Sequence, residues 1–150
     1  MSIYLKKVCE EDCQLLFHWA NDEQVRKNSF NNKEISYEEH IKWFNKKLKS
    51  TTCYMFILYD EKIPVGQVRI DIEDTTAIIG YSISSDFRGK GYASKMLEML
   101  ETEVKKNLLY IKKLIANVKF DNIFSRKIFK KLRYTEILKG DYIEYYKEIA

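Results

Sequence analysis

The segment Arg88-Gly89-Lys90-Gly91-Tyr92-Ala93 constrains the fold most, because it stands between a strand-like run and a long amphipathic run. Two glycines so close to a helix start let the backbone approach a ligand and point several unpaired amides at one place. The helix dipole favours negative charge there, and Arg88 and Lys90 add cationic side chains. The segment predicts a strand, a phosphate-binding loop and a helix in that order. The alternative is an ordinary turn that uses glycine only for its geometry.

Two common phosphate-binding patterns do not fit this loop. A Walker loop requires Gly-x-x-x-x-Gly-Lys-Ser/Thr, and neither Gly80 nor Gly89 has that spacing and ending. The dinucleotide fingerprint requires a third small residue, at the position of Ser94, inside a parallel βαβ unit. The strand before this loop belongs instead to a predicted antiparallel meander, so neither pattern identifies the ligand.

Hydrophobic patterning predicts eleven elements in the order βααβββαβαββ, a mixed α/β sandwich around a central, mostly antiparallel sheet. The clearest element is a helix that begins at the Ser36-x-x-Glu39 capping box and carries an apolar stripe from Tyr37 to Leu48. With one proline and no linker or repeat, residues 1–150 are expected to form a single domain. The other predicted elements are strands at Ile3–Val8, Thr52–Tyr59, Ile63–Ile72, Thr75–Ser84, Leu114–Val118, Tyr134–Leu138 and Tyr142–Lys147, and helices at Asp12–Asn21, at Tyr92 to about Lys106, and from Asn122.

Composition narrows the class of protein. Of the 150 residues, 45% are hydrophobic and 32% charged, so the chain can bury enough apolar surface to fold. The longest uncharged apolar run, Cys53–Tyr59, is far shorter than the ~20 residues of a membrane span, and no secretory signal is visible near Met1. A net charge of +4 is too small to indicate a nucleic-acid partner. Three cysteines without a Cys-x-x-Cys pair predict free thiols and no metal, so we expect a cytoplasmic protein.

Two motifs together resemble those of the GCN5-related N-acetyltransferases, the GNAT superfamily. The first is Arg88-x-x-Gly91-x-Ala93, after a strand with Gly80-Tyr81-Ser82-Ile83 and before an amphipathic helix. The second is Asn122-x-x-Ser125 followed by Phe129-x-Lys131-Leu132-Arg133-Tyr134, similar to the family's Asn-x-x-Ser, aromatic and Lys-x-Gly-Phe pattern. Element order and length fit as well, so the resemblance covers essentially the whole chain. It implies a GNAT-like fold, acetyl-CoA as co-substrate, and acetyl transfer to a primary amine by direct attack in a ternary complex.

The resemblance also implies where acetyl-CoA binds. In the family the strand before the loop splays from its neighbour, and freed amides at positions corresponding to Tyr81, Ser82 and Ile83 hold the pantetheine and the thioester carbonyl. An amide aimed at that carbonyl would stabilise the developing oxyanion. Asn122 and Ser125 would contact the pantetheine or the adenine end, and Asn122 is also expected to cap its helix. The pyrophosphate would rest on the amides of Arg88, Gly89, Lys90, Gly91, Tyr92 and Ala93.

The sequence departs from the family at its usual acid and base. Many members carry a general-base Glu where Ile78 stands and a general-acid Tyr where Phe129 stands. Phe cannot donate a proton, and an amine must be neutral to attack. Acid and base therefore stay open, with positioning and solvent as a further possibility. The candidates are His40, Asp71, Glu73 and a water chain ending at Tyr81, of which we take His40, Tyr81 and Glu73 as the catalytic residues.

The acceptor amine is expected to bind the N-terminal third, where polar and aromatic residues from Trp19 to Phe44 surround a helix–helix connection. This pattern is similar to N-acetyltransferases of amino-sugar nucleotides, particularly the 4-amino sugar enzymes of the pseudaminic-acid pathway. That similarity implies a nucleotide sugar as the small-molecule substrate. Arg26 and Arg69 would then meet phosphate, and His40 and Tyr81 would orient the sugar. The alternative is a well-packed helical hairpin with a solvated Arg26.

Three other functions stay open. A ribosomal-protein Nα-acetyltransferase shares the long amphipathic opening, and a non-catalytic CoA-binding module is favoured by the missing Glu and Tyr. A polyamine or antibiotic acetyltransferase would need an acidic pocket, for which the run Asp71, Glu73 and Asp74 is a modest hint. The aromatic segment with Tyr142, Tyr145 and Tyr146 is explained equally well by a homodimer strand and by a core strand.

Overall fold

The computed structural model describes residues 2–149, which form a seven-stranded sheet with helices on both faces. The strands are β1 (Ile3–Lys7), β2 (Cys53–Asp60), β3 (Ile63–Glu73), β4 (Thr76–Ile83), β5 (Lys113–Lys119), β6 (Thr135–Lys139) and β7 (Tyr142–Glu148), and the helices are α1 (Cys13–Ala20), α2 (Glu23–Asn28), α3 (Tyr37–Lys49), α4 (Tyr92–Asn107) and α5 (Ile123–Lys131). The spatial order is β1-β2-β3-β4-β5-β7-β6, and only β4 and β5 are parallel among these strands. The predicted fold class is confirmed.

Within residues 2–149, α2 is the one α-helix that the patterning did not predict. Asp22 caps it, because its carboxylate accepts from the amides of Gln24 (3.0 Å) and Val25 (3.1 Å). Six residues are too few to show an apolar period, so only the cap could have signalled this helix. The element order is therefore βαααβββαβαββ.

The predicted helix behind Ser36 forms, but its buried face is rotated around the helix axis relative to the predicted stripe. Ser36 Oγ accepts from the Glu39 amide at 3.2 Å, which starts α3 as expected. The buried residues of α3 are His40 and Phe44, whereas Tyr37 is exposed. A histidine thus lies on the buried face of α3, where it contacts Cys13 and Phe17 of α1.

Two separate cores hold the helices on the sheet. On one face α4 contributes Met96, Leu100 and Val104, all fully buried at steps of one helical turn. On the other face Phe44 of α3 packs with the cluster that contains Met55 and Ile57 of β2. Burying a side chain of this size contributes ~1.5–3 kcal/mol, so both helical layers are firmly attached. The candidate site lies between the helices α1, α2 and α3 and the parallel strands β4 and β5.

The aromatic C-terminal segment is a core strand rather than an edge. β7 pairs with β5 on one side and with β6 on the other, and Tyr145 is 1% exposed. The edge on this side of the sheet is β6, all of whose residues are exposed.

Within residues 2–149, no helix is long and apolar enough to cross a bilayer. Nor do three or more His, Cys, Asp or Glu side chains of that range form a group that could hold a metal ion. The three cysteines are free thiols.

Candidate active site

The parallel strands β4 and β5 stay paired for only three residues, Thr76–Ile78 beside Lys113–Ile115, and then diverge. β3 keeps its pairing along the whole other edge of β4. The Ser84 amide donates to a carbonyl of β3 at 2.8 Å. Because amide directions alternate along a strand, the amides of Tyr81 and Ile83 point into the gap. The structure thus provides two backbone donors inside a V-shaped opening.

The same alternation corrects one expectation from the sequence. The Ser82 amide points toward its register partner Gln67 on β3, so it is not one of the freed amides. The Ser82 hydroxyl accepts from Gln67 Nε2 at 3.0 Å. Ser82 therefore lines the cleft with a fixed hydroxyl and does not offer an amide to a thioester.

The loop after β4 presents bare backbone. Gly89 and Gly91 have φ of 76° and 83°, the left-handed region that favours glycine. Gly91 is the N-cap of α4, so that helix start has no capping side chain from this position. A Cβ at either glycine would meet no atom within 4 Å. The first amides of α4 thus face open space, as a bound diphosphate requires.

Two side chains of this loop are turned to other partners. Lys90 Nζ lies 5.6 Å from the centre of the Phe87 ring, and the Tyr92 hydroxyl donates to the Asp60 carboxylate. Their contribution to a ligand in front of the loop would therefore come chiefly from their amides.

A cavity of about 270 Å³ lies between this loop and α5. Lys127 and Lys131, both exposed and one turn apart on α5, line it together with Gly89 and Gly91. Two ammonium groups beside bare amides attract phosphate charge. The residues present therefore fit the diphosphate end of coenzyme A.

The Arg88 guanidinium is held to one side of the free amides. Its Nε donates to the Ile83 carbonyl at 3.1 Å, and its Nη2 lies 2.6 Å from Asp22 Oδ2. Burial alone would raise the pKa of Asp22, but the Arg88 hydrogen bond and the capped amides bring it below its usual value. Arg88 thus ties the end of β4 to the start of α2.

A larger cleft of about 950 Å³ runs from the gap between β4 and β5 to α1, α2 and α3. It shares Ile83, Arg88 and Phe124 with the smaller cavity, so the two lie next to each other. The cleft joins the predicted acceptor side to the predicted thioester position. The sequence-predicted site residues in its lining are Arg26, His40, Arg69, Tyr81, Ser82, Ile83, Arg88, Asn122 and Ser125.

Tyr81 reaches from β4 to α5. Its hydroxyl lies 2.5 Å from Ser125 Oγ, and its ring packs edge-on against Phe129 at 6.0 Å. Burial raises the pKa of the Tyr81 phenol, so it stays protonated at neutral pH. Asn122 Oδ1 accepts from the Ser125 amide at 3.2 Å, which forms the expected cap of α5. The chain thus places a phenol beside Phe129, the position that lacks one.

His40 is 3% exposed and packs against Phe17, Trp43 and Phe44. Its Nε2 lies 2.9 Å from the Cys13 carbonyl oxygen, which can only accept, so Nε2 carries the ring proton. Burial lowers the pKa of His40, which keeps the imidazole neutral. Nδ1 makes no hydrogen bond within residues 2–149. A neutral imidazole lining the cleft with an unprotonated Nδ1 can accept a proton from an amine.

Arg26 does not present a free guanidinium. Its Nε donates to the Ala20 carbonyl at 2.7 Å, and its Nη1 donates to the carbonyls of Asn31 (2.9 Å) and Lys33 (3.1 Å). Its Nη2 donates to Ser29 Oγ at 3.1 Å. Four of its five donors are thereby used, so Arg26 clamps the connection between α1 and α3. The predicted phosphate contact is corrected accordingly.

Arg69 is only partly engaged. Its Nε lies 3.0 Å from Asp71, which Lys47 also contacts at 2.6 Å, and its guanidinium carbon lies 5.1 Å from the centre of the Trp43 ring. Nη2 lies over Gly80, where a Cβ would come within 3.2 Å. The remaining donors leave Arg69 able to bind a phosphate in the cleft, so that role stays a prediction.

Glu73 lies far from these groups. It pairs with Thr76 at the start of β4, whereas the gap opens at the far end near Ile83. Seven residues at ~3.3 Å each separate the two ends by about 23 Å. Asp71 is closer but does not line the cleft. The structure brings neither carboxylate to the site, which removes Glu73 as a base.

A model of the acetyltransferase (GNAT) domain family matches residues 2–135, nearly the whole chain. The chain belongs to the GNAT acetyltransferases. The bare loop and the diverging strands are therefore parts of an N-acetyltransferase that uses acetyl-CoA as its co-substrate. The predicted superfamily and enzyme class are confirmed, while the match carries no information on the amino-sugar specificity.

The similar proteins are all N-acetyltransferases, and the two solved structures among them differ in substrate. The uncharacterized N-acetyltransferase YfmK of Bacillus subtilis (strain 168) is 25% identical over 126 residues, 84% of this chain and 80% of that protein. Spermidine N-acetyltransferase from Vibrio cholerae, solved with CoA and spermine, has a TM-score of 0.87 at 17% identity and covers 97% of this chain and 95% of its own. The ribosomal L7/L12 α-N-protein acetyltransferase RimL with coenzyme A has a TM-score of 0.83 at 19% identity, covering 99% and 95%. At these identities the solved structures share the fold alone.

Four residues of the candidate site have no site role that was predicted from the sequence: Asp22, Gln67, Lys127 and Lys131. Asp22 could have been found as a helix cap, since Asp is favoured there. The lysines recur four residues apart on α5, a spacing that places them on one face, but a solvated helix face explains such a run equally well. Nothing in the sequence shows that Gln67 would face Ser82.

Proposed function

We propose that this enzyme acetylates the amino group of a nucleotide-linked amino sugar. The charge of the cleft supports this acceptor class. Within the described residues its lining holds four cationic side chains (Arg26, Lys27, Arg69 and Arg88) and two acidic ones (Glu39 and Asp121). With the ion-pair partners Lys47, Asp22 and Asp71 the balance is five positive to four negative. A polyamine needs an excess of acid, whereas a diphosphate is favoured by a positive cleft.

Side chains at the cleft also suit the two other parts of such a substrate. Lys27 is exposed in the lining and forms no ion pair within residues 2–149, so it is available to phosphate together with Arg69. Phe30 is 58% exposed and Trp43 lines the deeper wall. Flat apolar faces of this kind stack against a sugar ring or a nucleobase.

The reaction would take place in the gap between β4 and β5. The amides of Tyr81 and Ile83 are the proposed donors to the thioester carbonyl, where negative charge develops as the amine attacks. The carbon–sulfur bond breaks as the carbon–nitrogen bond forms. The amine loses a proton and the sulfur gains one.

We assign the two proton transfers to groups that the structure brings to the cleft. His40 Nδ1 is the proposed acceptor of the amine proton, because the contact of Nε2 with the Cys13 carbonyl leaves Nδ1 unprotonated. The Tyr81 phenol, hydrogen-bonded to Ser125, is the proposed donor to the departing sulfur. This pair replaces the acid and base expected at Phe129 and Ile78.

We place the reaction in the cytoplasm. Cys9 and Cys13 are both free and not fully buried, which suits a reducing compartment.

Release of free coenzyme A thiol tests the acceptor class directly. The enzyme would be incubated with acetyl-CoA and, separately, with a UDP-linked 4-amino sugar, a peptide with a free N-terminus, and spermidine. We expect kcat/KM to be at least about 100-fold higher for the nucleotide sugar, and no release when its amine is already acetylated. Release with peptide or spermidine alone would overturn the proposed acceptor. Tight acetyl-CoA binding without release from any pool would favour a non-catalytic module.

A further inference from the structure

The short helix α2 bridges the two strands that diverge at the active site. At its start, Asp22 pairs with Arg88 in the loop after β4 at 2.6 Å. At its end, the Lys27 carbonyl accepts from Lys119 Nζ, on the last residue of β5, at 3.0 Å. One helix of six residues is thus fastened to both arms of the gap.

This helix also forms a wall of the acceptor side, since residues 24–28 all line the larger cleft. The loop that Arg88 belongs to carries the bare amides in front of α4. The Asp22–Arg88 pair therefore connects the loop expected to bind coenzyme A to the helix that lines the acceptor cleft. Asp22 Oδ2 takes three bonds at once, from Arg88 and from the amides of Gln24 and Val25, so a shift of Arg88 acts directly on the helix start.

We propose that Asp22 is a positioning residue that couples coenzyme A binding to the placement of α2. A diphosphate bound on the loop fixes Arg88, and Arg88 then holds Asp22 and the wall of the acceptor cleft. Such coupling is reciprocal, so an acceptor that fixes α2 must tighten coenzyme A by the same factor. The inference rests on the diphosphate lying at Arg88–Ala93, as proposed above, but it holds for any acceptor amine.

Substitutions can separate the ion pair from the helix cap. Asp22→Ser removes the charge but keeps a side-chain oxygen for the amides of α2, because serine is a good N-cap. Asp22→Ala removes both. Arg88→Gln breaks the pair from the other side and leaves the loop amides in place. Lys119→Ala loosens the far end of α2 without touching the loop and is the matched control.

Amide hydrogen exchange with coenzyme A as the probe measures the coupling without any acceptor. In the wild-type protein we expect coenzyme A to slow exchange in residues 88–95 and, about 5-fold, in residues 23–28. In Asp22→Ser the protection of 88–95 should persist, and in both Asp22→Ser and Arg88→Gln the protection of 23–28 should fall to within error of none. Lys119→Ala should speed the exchange of 23–28 but keep its slowing by coenzyme A. Calorimetry should give Asp22→Ser a coenzyme A affinity within about threefold of wild type.

The outcomes separate this inference from the proposed site. If coenzyme A protects 88–95 but not 23–28 in wild type, or protects 23–28 equally in Asp22→Ser, the coupling is refuted and the diphosphate placement stands. If it protects neither segment, the diphosphate placement fails as well. If Asp22→Ser cannot bind coenzyme A, the pair merely holds the loop, and the coupling role is refuted.

Discussion

This candidate active site has a donor side, where acetyl-CoA is expected to bind, and an acceptor side, where the amine is expected to bind. The two sides offer different kinds of binding group. On the donor side the proposed binding groups are backbone amides, at Tyr81 and Ile83 in the gap and at the start of α4 behind Gly91. On the acceptor side they are side chains on α1, α2, α3 and β3, of which Arg26, His40 and Arg69 already bind another part of the protein. Backbone sites need particular φ angles and bare positions, which sequence records. Side-chain sites need a particular set of unused donors, which only the assembled structure records.

Arg26 and Arg69 illustrate the acceptor side. In the sequence they are two equivalent guanidinium groups. In the structure Arg26 donates four hydrogen bonds to the segment that connects α1 to α3. The other gives Nε to Asp71 and keeps its terminal nitrogens near the cleft. A cationic residue near a cleft therefore predicts a phosphate contact only if its hydrogen-bond donors are free.

Gly91 is the position where a substitution should disrupt acetyl-CoA binding most directly. In Gly91→Val a branched side chain would enter the open space in front of the α4 amides, at a φ of 83° that disfavours any Cβ. We expect acetyl-CoA affinity to fall at least about 100-fold by calorimetry, the largest effect considered.

The matched control is Gly140→Val, in the turn between β6 and β7. Gly140 also has a positive φ, 46°, and open space at its Cβ position, so the backbone strain is similar, about 1–2 kcal/mol. It should melt at a lower temperature yet bind acetyl-CoA as wild type does. Equal losses of affinity in both variants would mean that strain, not the occupied space, explains the Gly91 result.

Much of the fold could be predicted because local signals and long-range packing agree. Alternation with polar turns placed β2, β3 and β4 within a residue or two, and the apolar stripe of α4 matches its fully buried Met96, Leu100 and Val104. α2 was missed because six residues with Val25 as their one apolar side chain carry no period, and its existence depends on Asp22 and on contacts with distant Arg88 and Lys119.

The next largest effect should come from Tyr81, where a donor-side strand supplies a side chain. Tyr81→Phe keeps the ring against Phe129 but removes the hydroxyl that bonds Ser125. We expect kcat to fall roughly 10- to 100-fold with acetyl-CoA affinity unchanged, because a general acid typically contributes 10²–10⁴ and water replaces it in part.

Tyr134→Phe is the control for this change. Its phenol is also buried and packs on Phe129 at 5.0 Å, but it does not line the cleft, so kcat should stay within about twofold of wild type. A kcat for Tyr81→Phe equal to that of Tyr134→Phe would exclude Tyr81 as the acid.

Substitutions of Arg26 and its neighbour Lys27 distinguish a structural role from a substrate-binding role on the acceptor side. Arg26→Ala removes four hydrogen bonds from a half-buried guanidinium, so we expect a loss of about 2–3 kcal/mol in urea denaturation. Lys27→Ala removes an exposed ammonium and should cost less than about 0.5 kcal/mol while raising the acceptor KM. Unchanged stability in Arg26→Ala, with a raised KM, would restore the phosphate-binding role.

The sequence indicates the expected cofactor loop more directly than it indicates the residues of the acceptor side. Glycines at 89 and 91 mark bare backbone in the sequence itself, whereas the distance of Glu73 from the gap depends on which end of β4 diverges. The role of Ser82 likewise depends on which edge of β4 its amide faces. Strand register decides both points, and nothing local in the sequence sets it.

His40 gives the smallest expected effect and tests whether an acceptor-side residue is structural, catalytic or both. Burial lowers its pKa in the folded protein below the ordinary value near 6.5. As pH falls through 6.5 the unfolded chain therefore binds a proton that the folded imidazole resists, so stability is full above this pH and declines below it. The carboxyls with lowered pKa, Asp22, Asp71 and Glu101, also cost stability in acid, but they titrate at lower pH than this window. Thermal melts at pH 7.5 and 5.5 should show a smaller difference in melting temperature for His40→Gln than for wild type. His18→Gln, at an exposed position of α1, should leave the wild-type difference in place.

The proposed role of His40 as the base predicts a kinetic effect as well. His40→Gln should lower kcat without weakening the binding of acetyl-CoA. An altered pH difference with wild-type kcat would mean that the ring only packs, and the base would then be sought in solvent.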